Sequence, residues 1–172
     1  MIKEVSLVKF KQFHRKTIPL LRNGVFLLAG ANNSGKSTIL HALAIWEFCR
    51  TIIEAEKGFD AFLPGSDAKG LGLADDEFSP ILLPSLSHLW TNLTAQKQKG
   101  DTDGYTLRLK AVWQIEDDKD KELEFGLALA NDRMFVKTTH SNLVHGDYIP
   151  RVAYLPPFAG ITDKEARLPL AI

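Results

Sequence analysis

The stretch Gly30-Ala31-Asn32-Asn33-Ser34-Gly35-Lys36-Ser37 has the residue types and spacing of a phosphate cradle, G-x-x-x-x-G-K-[ST]. Gly30 and Gly35 permit backbone angles and close approaches that a Cβ obstructs. Successive backbone N–H groups can then converge on an anion. A helix starting near Ser37 adds the positive end of its dipole. Lys36 offers a point charge to β- and γ-phosphates. The Ser37 hydroxyl is an oxygen ligand suited to Mg²⁺, a metal that also shares the phosphates. The loop pattern specifies neither the base nor the reaction.

The context expected of such a cradle is a buried strand before it and an amphipathic helix after it. Residues 2–10 read as a strand and Phe13 to Leu20 as a second, with a polar turn at Lys11–Gln12. Arg22-Asn23-Gly24 reads as a turn. Val25-Phe26-Leu27-Leu28-Ala29 is a continuous apolar run, the pattern of a strand buried on both faces. Ser37 to about Glu56 reads as a helix, with Ile39, Leu43, Trp46, Cys49 and Ile53 at helical spacing and Gly58 as its stop.

The rest of the chain reads differently. Glycines, prolines and acids over residues 57–83 predict an irregular connection, and Pro84 to Trp90 a short helix capped by Ser85. Tyr105, Leu107, Leu109, Ala111, Trp113 and Ile115 alternate at period two, followed by Leu123 to Leu129 and by Met134 to Thr138. This predicts an antiparallel meander. Val152 to Leu155 reads as a short buried strand stopped by Pro156-Pro157.

Residues 1–45 then resemble a family. Phe10, Lys11 and Phe13 match an F-[KR]-x-F-like turn. Asn32, Ser34, Thr38, Ile39, Leu40, Ala42 and Leu43 match an extended loop, G-x-N-x-[SA]-G-K-S-T-[IL]-L-x-A-[IL]. Both belong to the ABC-type ATPase heads of the SMC, RecF and OLD group of AAA family ATPases. The segment YLPPFAGITDKEARL is similar to one at which the first lobe of such heads passes to the helical part.

The resemblance implies an α/β fold with α+β character, a P-loop NTPase whose N-terminal lobe carries an antiparallel meander. Residues 1–172 would form a single domain, a partial ATPase head. Strands, loop and first helix occupy 1–58, an irregular insertion 59–103, the meander 104–138, and 151–172 begins the connection to a missing C-terminal lobe. ATP and Mg²⁺ are the implied cofactors. The implied nucleotide contacts are Gly30, Asn32, Asn33, Ser34, Gly35, Lys36, Ser37 and Thr38, with Ser37 also at the metal. Basic residues after the first strand lie near the nucleotide in this group, which adds Lys11 and His14. The implied partners are a second ATPase head, either a homodimer mate or the missing C-terminal lobe, and DNA.

The group's catalytic lobe also carries a Q-loop, an S-G-G signature and a Walker B run ending in two acids. The sequence has no S-G-G, and Pro156-Pro157-Phe158 stand where the Q-loop would lie. Phe125 to Asp132 mimics Walker B but alternates at period two, as a meander strand does. Gly72 to Glu77 has the acids without an evident buried strand before them. The catalytic residues are therefore unknown from sequence. The expectation is nucleotide binding without self-sufficient hydrolysis, in a fragment of a longer ATPase or a truncated product. A small metabolite kinase and a non-catalytic, nucleotide-regulated interaction module are the alternatives. The kinase reading requires parallel strands alternating with helices.

The bulk composition limits these readings little. Hydrophobic residues make up 45% and charged residues 24% of 172, and 21 basic residues balance 21 acidic ones. Zero net charge gives no independent support to nucleic-acid binding. The single cysteine, Cys49, lies in the apolar helical stretch and reads as a buried thiol. The N-terminus has no signal-peptide apolar region, and no run approaches the about 20 apolar residues that cross a bilayer. A cytoplasmic protein without membrane contact is expected.

Overall fold

The computed structural model describes residues 1–20, 24–66, 69–115 and 119–156. Its strands are β1 (Ile2–Phe10), β2 (Phe13–Pro19), β3 (Leu71–Leu73), β4 (Leu107–Gln114), β5 (Asp120–Ala130) and β6 (Arg133–Ser141), and its helix is α1 (Lys36–Lys57). They form one six-stranded sheet in the order β2-β1-β4-β5-β6-β3, with every pairing antiparallel. The result is a mixed α/β fold in which one helix covers an antiparallel sheet.

The period-two pattern decides which face the helix covers. Leu107, Leu109, Ala111 and Trp113 of β4, Leu123, Phe125 and Leu127 of β5, and Met134 and Val136 of β6 are fully buried, together with Leu7 and Phe10 of β1. Against them α1 lays Ala42, Ile45, Trp46, Cys49 and Ile53. Trp46 is the centre of this seam. Its ring lies 6.2 Å from that of Trp113 and 5.8 Å from that of Phe125, and its indole N–H donates to the Leu123 carbonyl at 3.0 Å. Cys49 is buried among the same side chains, which pushes its thiol pKa far up.

The opposite face is ionic. Lys110 pairs with Glu122, Arg108 with Glu124 and Asp103, and His140 with Glu122. The Lys110–Glu122, Arg108–Glu124 and His140–Glu122 pairs are diagonal cross-strand neighbours of the β4–β5–β6 register, and Asp103 reaches Arg108 from the segment before β4. Gly126 sits in the middle of this face, where a Cβ would meet the Thr139 methyl at 2.5 Å and the Tyr105 Cβ at 2.8 Å.

Sequence reading and structure agree on β1, β2, the helix with its Gly58 stop, and the meander. The Phe125 to Asp132 stretch is indeed β5 and its hairpin turn, in which Asn131 and Asp132 take φ of 51° and 57°. The structure corrects several expectations. Val25 to Ala29 is not a strand. Val25 and Leu27 are 87% and 81% exposed, because no strand of the described chain lies beside them to pair their backbone. Val152 to Leu155 is not a strand either, and Leu155 is exposed.

Residues 59–103 are more than an irregular insertion. β3 closes the sheet edge on β6, and Phe62, Phe78, Ile81, Leu86, Leu89 and Trp90 are buried in the core. Few residues there alternate, so burial of isolated apolar anchors replaced periodicity as the ordering force. For the same reason the acids Asp75, Asp76 and Glu77 do follow a strand, the three-residue β3. The expected short helix before Trp90 is a 3₁₀ turn, Leu86–Leu89, and the Ser85 hydroxyl bonds Ser87 and His88 rather than capping it. The expected turn at 22–24 lies largely outside the described residues, as does most of the segment 151–172. Among the described residues no helix is long and apolar enough to cross a membrane.

Replacing Trp46 with Ala should cost about 4 kcal/mol, the range for a buried aromatic truncation, with part of that from the stranded Leu123 carbonyl. Urea denaturation followed by circular dichroism measures it. A loss under about 1 kcal/mol would mean that the helix–sheet seam is held elsewhere.

Candidate functional site

Gly35 is the N-terminal boundary residue of α1 and adopts φ 95°, ψ 7°, the left-handed region that glycine tolerates best. It is also out of room. A Cβ there would stand 2.5 Å from the Phe13 ring and 2.7 Å from the Gln12 amide nitrogen. Thus the turn between β1 and β2 presses directly on the start of the helix. Gly30, at φ 156°, opens the loop, and a Cβ on it would meet the Ser34 hydroxyl at 2.8 Å. Asn33, at φ 62°, forms the crown.

The turn that presses on Gly35 is itself held from behind. The Lys11 N–H donates to the Leu89 carbonyl at 2.8 Å, the Thr91 hydroxyl donates to the Phe13 carbonyl at 3.2 Å, and Phe10 bridges to Trp90. The 86–91 segment therefore acts as a strap over the hairpin turn.

Lys36 leaves the helix and folds back over the loop. Its ammonium donates to the carbonyls of Gly30 at 2.8 Å and Ala31 at 2.7 Å, with the Ser34 hydroxyl at 3.4 Å. Asn32, Asn33, Ser34, Gly35, Lys36, Ser37, Thr38 and Gln12 line a cleft of about 480 Å³. The first turn of α1 carries no acidic side chain, so its N–H groups and dipole face the cleft uncompensated by a carboxylate. A concave site with a lysine, hydroxyls and a positive helix end suits an anion of polyphosphate type. The Ser37 hydroxyl is exposed on this cleft, a position that fits an oxygen ligand of a phosphate-bound Mg²⁺.

The structure thus brings Asn32 to Thr38 together around one cleft, with Gly30 bound to the Lys36 ammonium at its rim. It does not bring Lys11 or His14 into that lining. The Lys11 ammonium donates to His41 Nδ1 at 2.6 Å, and His14 is exposed on β2. Gln12, between them, takes the place expected of a basic residue. Alternation within the turn is the only sequence signal for this: if Lys11 turns one way, its neighbour faces the other. The acids after β3 lie at the sheet edge opposite β2. Among the described residues no cluster of three metal-ligating side chains occurs.

Burial lowers the Lys11 pKa. Burial first, and the Lys11 charge second, lower that of His41. His41 Nδ1 accepts from the ammonium and its proton therefore sits on Nε2, while the ring stands edge-on to Tyr154 at 5.9 Å.

Among known proteins, a family model described as the P-loop containing region of AAA domain matches residues 2–45. The matched span runs from β1 through the hairpin and the loop into α1, so a P-loop AAA-type region is present. No curated protein matches the chain.

Two outcomes follow from this geometry. Gly35→Ala combines a forbidden φ with a steric overlap, and is expected to destabilise the fold by about 1–3 kcal/mol and to displace the β1–β2 turn. Chemical-shift changes at Gln12 and Phe13 by NMR would report that displacement, and unchanged shifts would refute the contact. For His41, the folded protein holds the proton less tightly than the unfolded chain. Stability should fall as pH drops from about 6.5 toward the lowered folded value, because the unfolded state binds the proton first. In an NMR titration His41 should titrate below the ordinary histidine value, and Lys11→Met should raise its midpoint. An unmoved midpoint would remove Lys11 as a cause.

Proposed function

We propose that this chain binds ATP with Mg²⁺ as the N-terminal lobe of an SMC/RecF/OLD-like ATPase. The observation that carries the nucleotide reading is the cleft itself, in which the loop glycines, Lys36 and Ser37 converge on the uncompensated start of α1. The match of residues 2–45 to a P-loop region supports it independently. When bound, Mg²⁺ supplies charge neutralisation to the phosphates. Lys36 would give up its loop carbonyls for phosphate oxygens, Ser37 would turn its hydroxyl to the metal, and the loop amides would hold the anion in place.

The finer parts of the proposal follow the sequence resemblance. Hydrolysis draws its water-positioning carboxylate and signature residues from a further lobe and from a second head, and the whole ATPase acts in the cytoplasm in DNA repair or bacterial defence, with DNA as a partner. The sheet pairs antiparallel throughout, which gives a small metabolite kinase no support.

Titration of the purified chain with a non-hydrolysable ATP analogue and Mg²⁺ should show binding. Lys36→Ala should weaken it by at least about 10- to 100-fold, the worth of a charge-assisted hydrogen bond. Ser37→Ala should reduce the gain in affinity that Mg²⁺ confers. The same sample should show no ATP turnover. Affinity that survives Lys36→Ala would sink the cradle, and robust turnover would sink the dependence on another lobe.

A further inference from the structure

Resting on the nucleotide reading of this cleft, we propose that Gln12 is a positioning residue of the site, an amide clamp that holds the phosphate loop in its binding shape. Every other residue lining the cleft belongs to the continuous run 32–38, and Gln12 alone arrives from another element, the β1–β2 turn. Its Oε1 accepts from the Thr38 hydroxyl at 2.8 Å, and its Nε2 donates to the Asn33 carbonyl at 3.4 Å. Asn33 is on the crown of the loop and Thr38 is in the first turn of α1. One side chain therefore ties the two limbs of the loop to each other and to the sheet.

The chemistry selects an amide. The Asn33 carbonyl can only accept, so the nitrogen end of Gln12 must face it and the oxygen end is left for Thr38. Thr38 is only 6% exposed, so its hydroxyl needs a partner inside the protein, and Gln12 supplies one. A glutamate could accept from Thr38 but would oppose the Asn33 carbonyl and bring negative charge into an anion site. A lysine could not accept at all. The adjacent Lys11 is engaged by His41, so the turn contributes polarity to the cleft without charge. Nε2 carries a second N–H, a donor available to a ligand oxygen.

The test compares Gln12→Ala, Gln12→Glu and Thr38→Val with the unaltered chain by two readouts. The first is affinity for the Mg²⁺–ATP analogue. Gln12→Ala should lose about three- to tenfold, the effect of one or two net hydrogen bonds. Gln12→Glu should lose more, because it adds repulsion. Combining Gln12→Ala with Thr38→Val should cost less than the product of the separate losses. Melting temperatures should stay unchanged, which separates positioning from global support. The second readout is amide hydrogen exchange of residues 31–38 without nucleotide, which Gln12→Ala should accelerate. Unchanged exchange and affinity in Gln12→Ala would overturn the clamp, as would equal losses for the Ala and Glu variants. If the unaltered chain fails to bind the analogue, the nucleotide reading falls. Loop exchange still decides the clamp in that case: acceleration supports it and unchanged exchange refutes it.

Discussion

The contact at Gly35 is the constraint from which the site is built. A residue at φ 95° with the Phe13 ring and the Gln12 amide against its α-carbon leaves neither conformational nor steric room for a side chain. The helix can therefore start only where the β1–β2 turn permits. That turn is in turn fixed by hydrogen bonds to Leu89 and Thr91 and by the buried Trp90, whose indole donates to Thr106. A hydrophobic strap far along the chain thus sets the position of the phosphate loop. The coupling is mechanical and local, made of packed rings and backbone bonds, and needs no long pathway.

The sheet explains why such a strap is required. Its apolar face packs against α1 and the buried side chains of residues 59–103, and its other face carries half-buried ion pairs. Neither face reaches round to the loop. The β1–β2 hairpin touches the loop through Gln12 and Phe13, so what anchors its turn anchors the site. Anchoring by buried Trp90 and Leu89 is the strong kind, because removing large apolar groups from water contributes far more than a surface ion pair does.

Much of this was legible in the sequence, for physical reasons that differ by segment. The meander and α1 announce themselves because one buried face repeats at a fixed period over many residues. The loop announces itself because its chemistry demands particular types at fixed spacing. Residues 59–103 hide because their buried residues, Phe62, Phe78, Ile81 and Trp90, are spaced by no period. Val25 to Ala29 misled for the converse reason. An apolar run states that a segment seeks burial, but a strand needs a neighbour's backbone as well, and the described chain offers it none. Lys11, which the resemblance places near the nucleotide, stands outside the cleft lining with its ammonium bonded to His41. The sequence holds nothing to say that His41, thirty residues away, takes its ammonium.

The exposed run before Gly30 gives Lys36 a second task. A phosphate loop delivered by a buried strand has its first limb fixed by sheet hydrogen bonds. Here residues 25–29 make no strand, so that limb must be held otherwise. The Lys36 ammonium does so, bonding the carbonyls of Gly30 and Ala31 while Gln12 secures Asn33 and Thr38. The loop is thereby closed on itself with its cation neutralised by backbone dipoles rather than by an acid. Carbonyl dipoles bind an ammonium less strongly than ionised oxygens do, since hydrogen bonds with both partners charged are the stronger class. On the proposed function, a polyphosphate would compete for Lys36 against weak partners. The same exchange would release the Gly30 and Ala31 carbonyls. Ligand capture and freedom of the limb before the loop would then be two sides of one hydrogen-bond exchange through Lys36.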